Sequence, residues 1–218
     1  AFLSWAGMIM GGGLFGTLIY GFGNKYRYQV KRVKLTYSNL PSAFKGIKIV
    51  HISDIHSGSF NNKEAVMKGV YKIMKEQPDL ILFTGDLVNN MASEMTDYMD
   101  VFDKLTAPLG VYSTLGNHDY GDYHNWGSQD EKKANFQQLL DLQKQVEFQL
   151  LLDENVKIEK DGSFFTLIGV HNWGKRFGRK GDLDKALEGV SSDSIKVLLS
   201  HDPTHFDEKV ANHDNHIH

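Results

Sequence analysis

The chain has 218 residues, with 24 Lys and Arg against 27 Asp and Glu, a net charge of −3 and no cysteine. Thiolate metal sites, disulfide frameworks and a cysteine nucleophile are thereby excluded, while the redox compartment stays open. The slightly acidic balance carries no nucleic-acid footprint, so no nucleic-acid partner is expected.

The first element is apolar. Phe2 to Phe22 holds no charged residue and ends against Lys25 and Arg27. A helix of that length covers about 30 Å, the thickness of a bilayer's hydrocarbon core, so residues 1–24 predict a transmembrane helix, the last of one or more. Gly7-x-x-x-Gly11 and Gly12-x-x-x-Gly16 offer small-residue faces for close helix packing. A cleaved signal segment is disfavoured by the length and by the lack of a small-x-small site before Lys25. Lys25, Arg27, Lys31, Arg32 and Lys34 would place this flank in the cytoplasm by the positive-inside rule. Several of them alternate with Tyr26, Tyr28, Val30, Val33 and Leu35. Residues 25–46 therefore predict a juxtamembrane edge strand and linker, with contact to anionic lipid as the functional alternative.

From residue 47 to 218 the pattern is that of one α/β domain. Four β-rich runs, 47–53, 80–84, 111–115 and 195–199, each feed a polar group: Asp54-Ile-His56, Gly85-Asp86, Gly116-Asn117-His118-Asp119 and Ser200-His201-Asp202. Ligands collect outside the carboxyl ends of such strands, so the four groups are expected at one sheet edge. Between them the spacing predicts helices over 62–77 (Val66, Val70, Ile73, Met74), 93–105 (Met95, Met99, Phe102, Leu105) and 129–145 (Phe136, Leu139, Leu140, Gln143). Short strands over 148–152, 156–159 and 164–170 follow one another directly, which predicts a second sheet. Carboxylate, imidazole and amide oxygen together suit borderline divalent ions such as Zn²⁺, Mn²⁺ or Fe²⁺.

Single motifs of this kind are weak. Asp-x-His recurs at Asp122-Tyr-His124 and Asp214-Asn-His216, and Gly-Asp at Gly121-Asp122 and Gly181-Asp182, without a strand before them. The ordered set is stronger. D-x-H, G-D, G-N-H-D and a lone His after a strand resemble the calcineurin-like metallophosphoesterase superfamily. The wording around Gly116–Gly121 and Leu198–Pro203 is most similar to its bacterial membrane-associated branch. The final G-H-x-H of that pattern does not appear: His216-Ile-His218 has no preceding Gly and no strand before it. The chain thus reads as an internal piece of a longer protein, incomplete at the C-terminus, that by itself should bind metal poorly.

The resemblance implies an α/β fold of two packed sheets flanked by helices, holding two divalent ions. Asp86 would bridge them, Asp54 and His56 would complete one side, and Asn117 and His201 the other. Such a pair can lower the pKa of a shared water and neutralise the phosphoryl oxygens. His118, a non-ligand in the family, would protonate the leaving alkoxide; Asp119 would either orient its ring or cap the turn. His171, Arg176 and Arg179 are candidate substrate contacts, against an ordinary strand-end loop and a solvated charge run. Tyr120, Tyr123, His124 and Trp126 are candidates for an access rim. The expected function is a membrane-anchored hydrolase of a phosphomonoester, phosphodiester or pyrophosphate bond, its substrate open to being lipid-linked, in the bacterial inner membrane. A non-catalytic scaffold of the same fold and a nuclease of the same superfamily are the alternatives.

Overall fold

The computed structural model describes residues 25–211 and His213. The segment 2–22, expected to span a membrane, and His216-Ile-His218 lie outside the described residues. No described helix is long and apolar enough to cross a membrane.

Among the described residues seven strands form two sheets. In the first, β1 (Ile49–Ile52), β2 (Leu80–Phe83), β3 (Val111–Ser113) and β4 (Gln149–Leu150) lie in that order, all parallel. In the second, β5 (Glu154–Lys160) pairs antiparallel with β6 (Ser163–Gly169), which pairs parallel with β7 (Lys196–Leu199). The run over 148–152 was expected in the second sheet. It joins the first instead, because α3 (Gln129–Gln145) carries the chain back to the start of the sheet and β4 enters parallel beside β3.

The layering follows from side-chain alternation along buried strands. Ile81 and Phe83 face the helices with Val66, Val70, Phe102 and Leu139, whereas Leu80 and Leu82 face the second sheet with Phe44, Phe165 and Leu167. On the far side of β6, Ile168 packs with Leu183 and Ala186 of α4 (Leu183–Ala186). The result is helix, sheet, sheet, helix, as the sequence pattern implies.

The first helix, α1 (Lys63–Lys75), begins where the Asn62 side chain accepts the Ala65 N–H at 3.0 Å. It stops before Gln77, which turns left-handed, and Pro78. Residues 93–105 do not form one continuous α-helix. A 3₁₀ segment (Ala92–Tyr98) leads into a short α2 (Met99–Phe102), and the Glu94 carboxylate accepts N–H bonds from Asn89, Asn90 and Met91, folding the loop back on its start. Along α3 the buried stripe is Asn135, Leu139, Leu142 and Gln143, with Phe136 and Leu140 only half-buried. Asn135 bonds Ala92 N–H and Asn90 C=O, so the loop satisfies that buried amide, whereas Gln143 accepts the Ser113 hydroxyl through Oε1 and its buried Nε2 has no partner among the described residues.

Residues 25–46 form no strand. Residues 26–32 run extended over α1 from its amino end to its carboxyl end. Tyr26 hydroxyl meets Asn61, the Tyr28 ring lies on Gly69, and Arg32 makes a bidentate pair with Glu76. The alternation holds at Tyr26 and Tyr28, whose rings meet a helix rather than a sheet edge, whereas Val33 and Leu35 stand exposed.

Candidate metal centre

Parallel register brings the carboxyl ends of β1, β2 and β3 to one edge, and β7 delivers His201 to the same edge from the second sheet. The loops after β1 and β2 run side by side: Asp54 N–H bonds Gly85 C=O at 3.0 Å, His56 N–H bonds Asp86 C=O at 2.9 Å and Ser57 N–H bonds Leu87 C=O at 2.9 Å. To follow this path Asp54, His56 and Asp86 each turn through the left-handed region, with φ of 53°, 48° and 58°. Three non-glycine residues in that strained region, all candidate ligands, mark a site where geometry overrides backbone preference. Gly85 and Gly116 allow the loops to touch. A Cβ on Gly85 would land on the Gly116 backbone, and one on Gly116 would land on the Asp86 carboxylate.

Asp86 is the centre of the cluster. Its side chain is almost fully buried, and its Oδ2 lies 3.4 Å from Nε2 of His56 and 3.4 Å from Nε2 of His201. Its Oδ1 accepts the His118 N–H at 2.9 Å. Ligand atoms converge here in two groups that share Asp86: His56, Asp86 and His118 in one, Asp54, Asp86 and His201 in the other, each within 4.8 Å. Asp54 Oδ1 also lies 3.9 Å from His56 Nε2, so the two stand together beside Asp86, and a nitrogen of His118, expected as a non-ligand, reaches the His56 group. Asn117 precedes the 3₁₀ turn His118–Tyr120, and its Nδ2 donates to the Tyr123 hydroxyl at 2.9 Å.

The ring orientations suit metal binding. The Thr84 carbonyl can only accept, so Nδ1 of His201 at 2.8 Å carries the proton and Nε2 turns to Asp86. Asn89 acts twice: its side-chain oxygen lies 3.1 Å from Nδ1 of His56, and its backbone carbonyl lies 2.7 Å from Nδ1 of His118. Imidazoles held this way by an outer acceptor present a fixed lone pair or proton inward. Burial disfavours ionisation of Asp86, but the hydrogen bond and charge of His201, with the His118 N–H, outweigh it and hold the carboxyl below its ordinary value. Burial likewise opposes charge on His201, yet Asp86 raises it to about 9. A buried carboxylate facing convergent imidazoles, with the second ring nitrogens already used, is a donor set that fits divalent cations.

Asp119 does not orient His118. Its fully buried carboxylate accepts backbone N–H bonds from Asp86 (2.8 Å), Leu87 (2.8 Å), Val88 (3.3 Å) and Gly116 (2.9 Å), tying the second loop to the third. Orientation of the His118 ring falls to the Asn89 carbonyl. Burial, followed by the Gly116 N–H bond that opposes it and the Asp86 charge that reinforces it, leaves Asp119 raised to about 6.

The remaining candidates stand at the rim. His171 Nδ1 meets the Tyr120 hydroxyl at 2.8 Å, and burial holds its pKa below the ordinary value. Arg176 and Arg179 lie on an exposed loop, Arg179 over the Trp173 ring. Tyr123 leans on the His118 ring with centroids 4.7 Å apart, and the Trp126 indole donates to Gly121 C=O at 2.7 Å. Thr84, Asn89 and Tyr123 were not read from the sequence as positioning groups. The available signal was their place one to five residues from the motif blocks.

Comparison with known proteins finds relatives with metallophosphoesterase descriptions. A protein from Bos taurus described as a transmembrane protein with metallophosphoesterase domain is 31% identical over 186 residues, which is 80% of this chain and 39% of that protein. An uncharacterized metallophosphoesterase of Aquifex aeolicus is 29% identical over 84% of this chain and 66% of its own length. UDP-2,3-diacylglucosamine pyrophosphatase LpxG of Chlamydia trachomatis is 36% identical over 110 residues, 49% of this chain and 33% of that one. The chain therefore spans two-fifths to two-thirds of the first two relatives. Among solved structures, Haemophilus influenzae NAD nucleotidase superposes with a TM-score of 0.50 at 19% identity, over 78% of this chain and 37% of that one, a likeness of fold. The family model for calcineurin-like phosphoesterase matches residues 47–216, so the chain belongs to that family.

Proposed function

We propose that this chain is the catalytic part of a membrane-anchored phosphoesterase that uses two divalent cations, Mn²⁺, Zn²⁺ or Fe²⁺, to hydrolyse a phosphomonoester, phosphodiester or pyrophosphate bond. The carrying observation is the buried Asp86 shared by two ligand groups. Asp54, His56, Asp86, Asn117 and His201 would hold the cations. Bound there, divalent cations neutralise phosphoryl oxygens and lower the pKa of water.

The chain's own residues do the rest. Asp119 fixes the backbone of the second and third loops, so Asp86 and Asn117 need not reorganise during reaction. His118, with Nδ1–H on the Asn89 carbonyl, turns Nε2 inward, and in its doubly protonated form would give the Nε2 proton to a leaving oxygen, returning to the neutral ring. A lipid-linked substrate is supported by two features: the apolar segment 2–22, and the relative named for a diacylglucosamine pyrophosphatase.

The test is hydrolysis of bis-p-nitrophenyl phosphate and p-nitrophenyl phosphate by the full-length protein, stripped of metal and refilled with each ion. Turnover should return with metal and stay absent in Asp86→Asn. Two cations bound per chain without turnover of either ester would contradict the assignment for simple phosphoesters.

A further inference from the structure

Three features outside the metal cluster converge on one face. The first is where the anchor leaves the domain. Lys25, three residues after the apolar segment, donates from Nζ to Ser59 C=O at 3.3 Å, and the Tyr26 hydroxyl accepts the Asn61 and Asn62 N–H groups at 2.8 and 3.1 Å. The Ser59 hydroxyl in turn meets Asn89 Oδ1, the oxygen that holds His56. From there the chain runs away from the site along α1 to Glu76. The anchor thus joins the domain at the end of the sheet that carries the metal cluster, not at the opposite end.

The second feature is the loop Lys175–Lys180. It is pinned from within by Gly174 N–H to Gly178 C=O (2.7 Å), Asn172 Nδ2 to Phe177 C=O (2.6 Å) and Lys180 N–H to Asn172 C=O (3.0 Å). Its base abuts the cluster: a Cβ on Gly174 would land on Asp202, the neighbour of His201, and Lys180 lies over Tyr120. Yet its tip side chain, Phe177, is 53% exposed. Lys175 and Lys180 are paired with Glu208 and Asp122, while Arg176 and Arg179 flank Phe177 in sequence, Arg179 lying over the Trp173 ring together with Lys209. The third feature is Phe206, 56% exposed, on a turn that packs against the same loop through Trp173 and His205. A loop held by its own hydrogen bonds that exposes Phe177, flanked in sequence by Arg176 and Arg179, has the composition of a bilayer-interface contact, with Arg toward anionic headgroups and Phe toward the acyl boundary.

We propose that the metal-site face docks on the anionic bilayer that holds the chain's own anchor, with Arg176, Phe177 and Arg179 as its contact. The active site then opens toward phosphoesters at headgroup level. This rests on the reading of residues 2–22 as a membrane anchor. The tether adds a high local concentration, so even a weak surface contact sets orientation.

The chain has no cysteine, so a single introduced one carries a unique fluorophore. The full chain is reconstituted in vesicles with and without phosphatidylglycerol, labelled at Phe177→Cys or, at the opposite end of the sheet, at Lys45→Cys. Quenching by headgroup-nitroxide lipid should be several-fold stronger at 177 than at 45, stronger with phosphatidylglycerol, and reduced when Arg176→Glu and Arg179→Glu are added. Equal quenching at the two positions in vesicle-bound protein overturns the orientation. A full chain that does not float with vesicles overturns the anchor reading and the docking with it. The signal needs no turnover, so failure of the phosphoesterase reading shows separately.

Discussion

Asp86 has one carboxylate to satisfy two imidazoles, a backbone N–H and any cation brought to the site, and its neighbours define what each substitution removes. Asp86→Asn keeps the volume and deletes the charge, so metal occupancy measured by calorimetry and ester turnover should fall together. His118→Asn should leave cation binding near the parent value while slowing esters with poor leaving groups most. If that variant instead empties the His56 group, His118 is a ligand, as the geometry of that group also allows. Asp119→Ala strips the acceptor from four backbone N–H groups. Each buried donor left unpaired costs about 1–3 kcal/mol, so urea unfolding should show a loss of about 3 kcal/mol or more. The sequence offered both roles for Asp119, and only the fold chose between them. A residue adjacent to His118 in sequence points its carboxylate the other way because the 3₁₀ turn rotates it into the second loop.

At the scale of elements, apolar spacing sufficed wherever an element buries one clean face. α1 and α3 begin at their Asn62 and Ser128 caps and span almost the expected residues, although α3 buries Asn135 and Leu142 where Phe136 and Leu140 were expected. It failed where polar contacts decide. Residues 92–102 break into 3₁₀ and α pieces around Glu94, and 25–32 lies over α1 instead of pairing with a strand. The latter gives a prediction: a Cβ at Gly69 would approach the Tyr28 ring to 2.7 Å. Gly69→Ala should therefore gain nothing of the roughly 1 kcal/mol that Ala brings to a helix interior, and a lower thermal midpoint with faster proteolysis near residue 28 is expected.

For the whole molecule, the Asp86–His201 pair links stability to pH across the two sheets. His201 has its pKa raised from 6.5 to about 9, so its contribution is complete below 6.5 and is lost as pH rises through about 9. Asp86 is lowered from 3.8, so its contribution is present above 3.8 and is lost as pH falls through the lower folded value. Through this pair the metal-free chain should lose thermal midpoint as pH rises from 6.5 toward 9, a loss that His201→Asn should flatten. Adding Mn²⁺ at pH 7.5 should release protons, read from the buffer dependence of the binding heat, because the cation displaces the proton on His201.

The sequence by itself determined the family, the strand ends that carry Asp54, His56, Asp86, Asn117, His118 and His201, and the layered α/β architecture. These are written locally, in a polar motif at the end of an apolar run and in the period of buried side chains. The tertiary structure decided that a nitrogen of His118 reaches the ligand cluster, that Asn89 and Thr84 aim the histidines, that β4 joins the first sheet, and that Lys25 meets Ser59 at the metal-site end of the sheet. Those are relations between residues 29 to 117 positions apart in the chain. Sequence spacing carries no information about such distances until loops close and each carbonyl finds its donor.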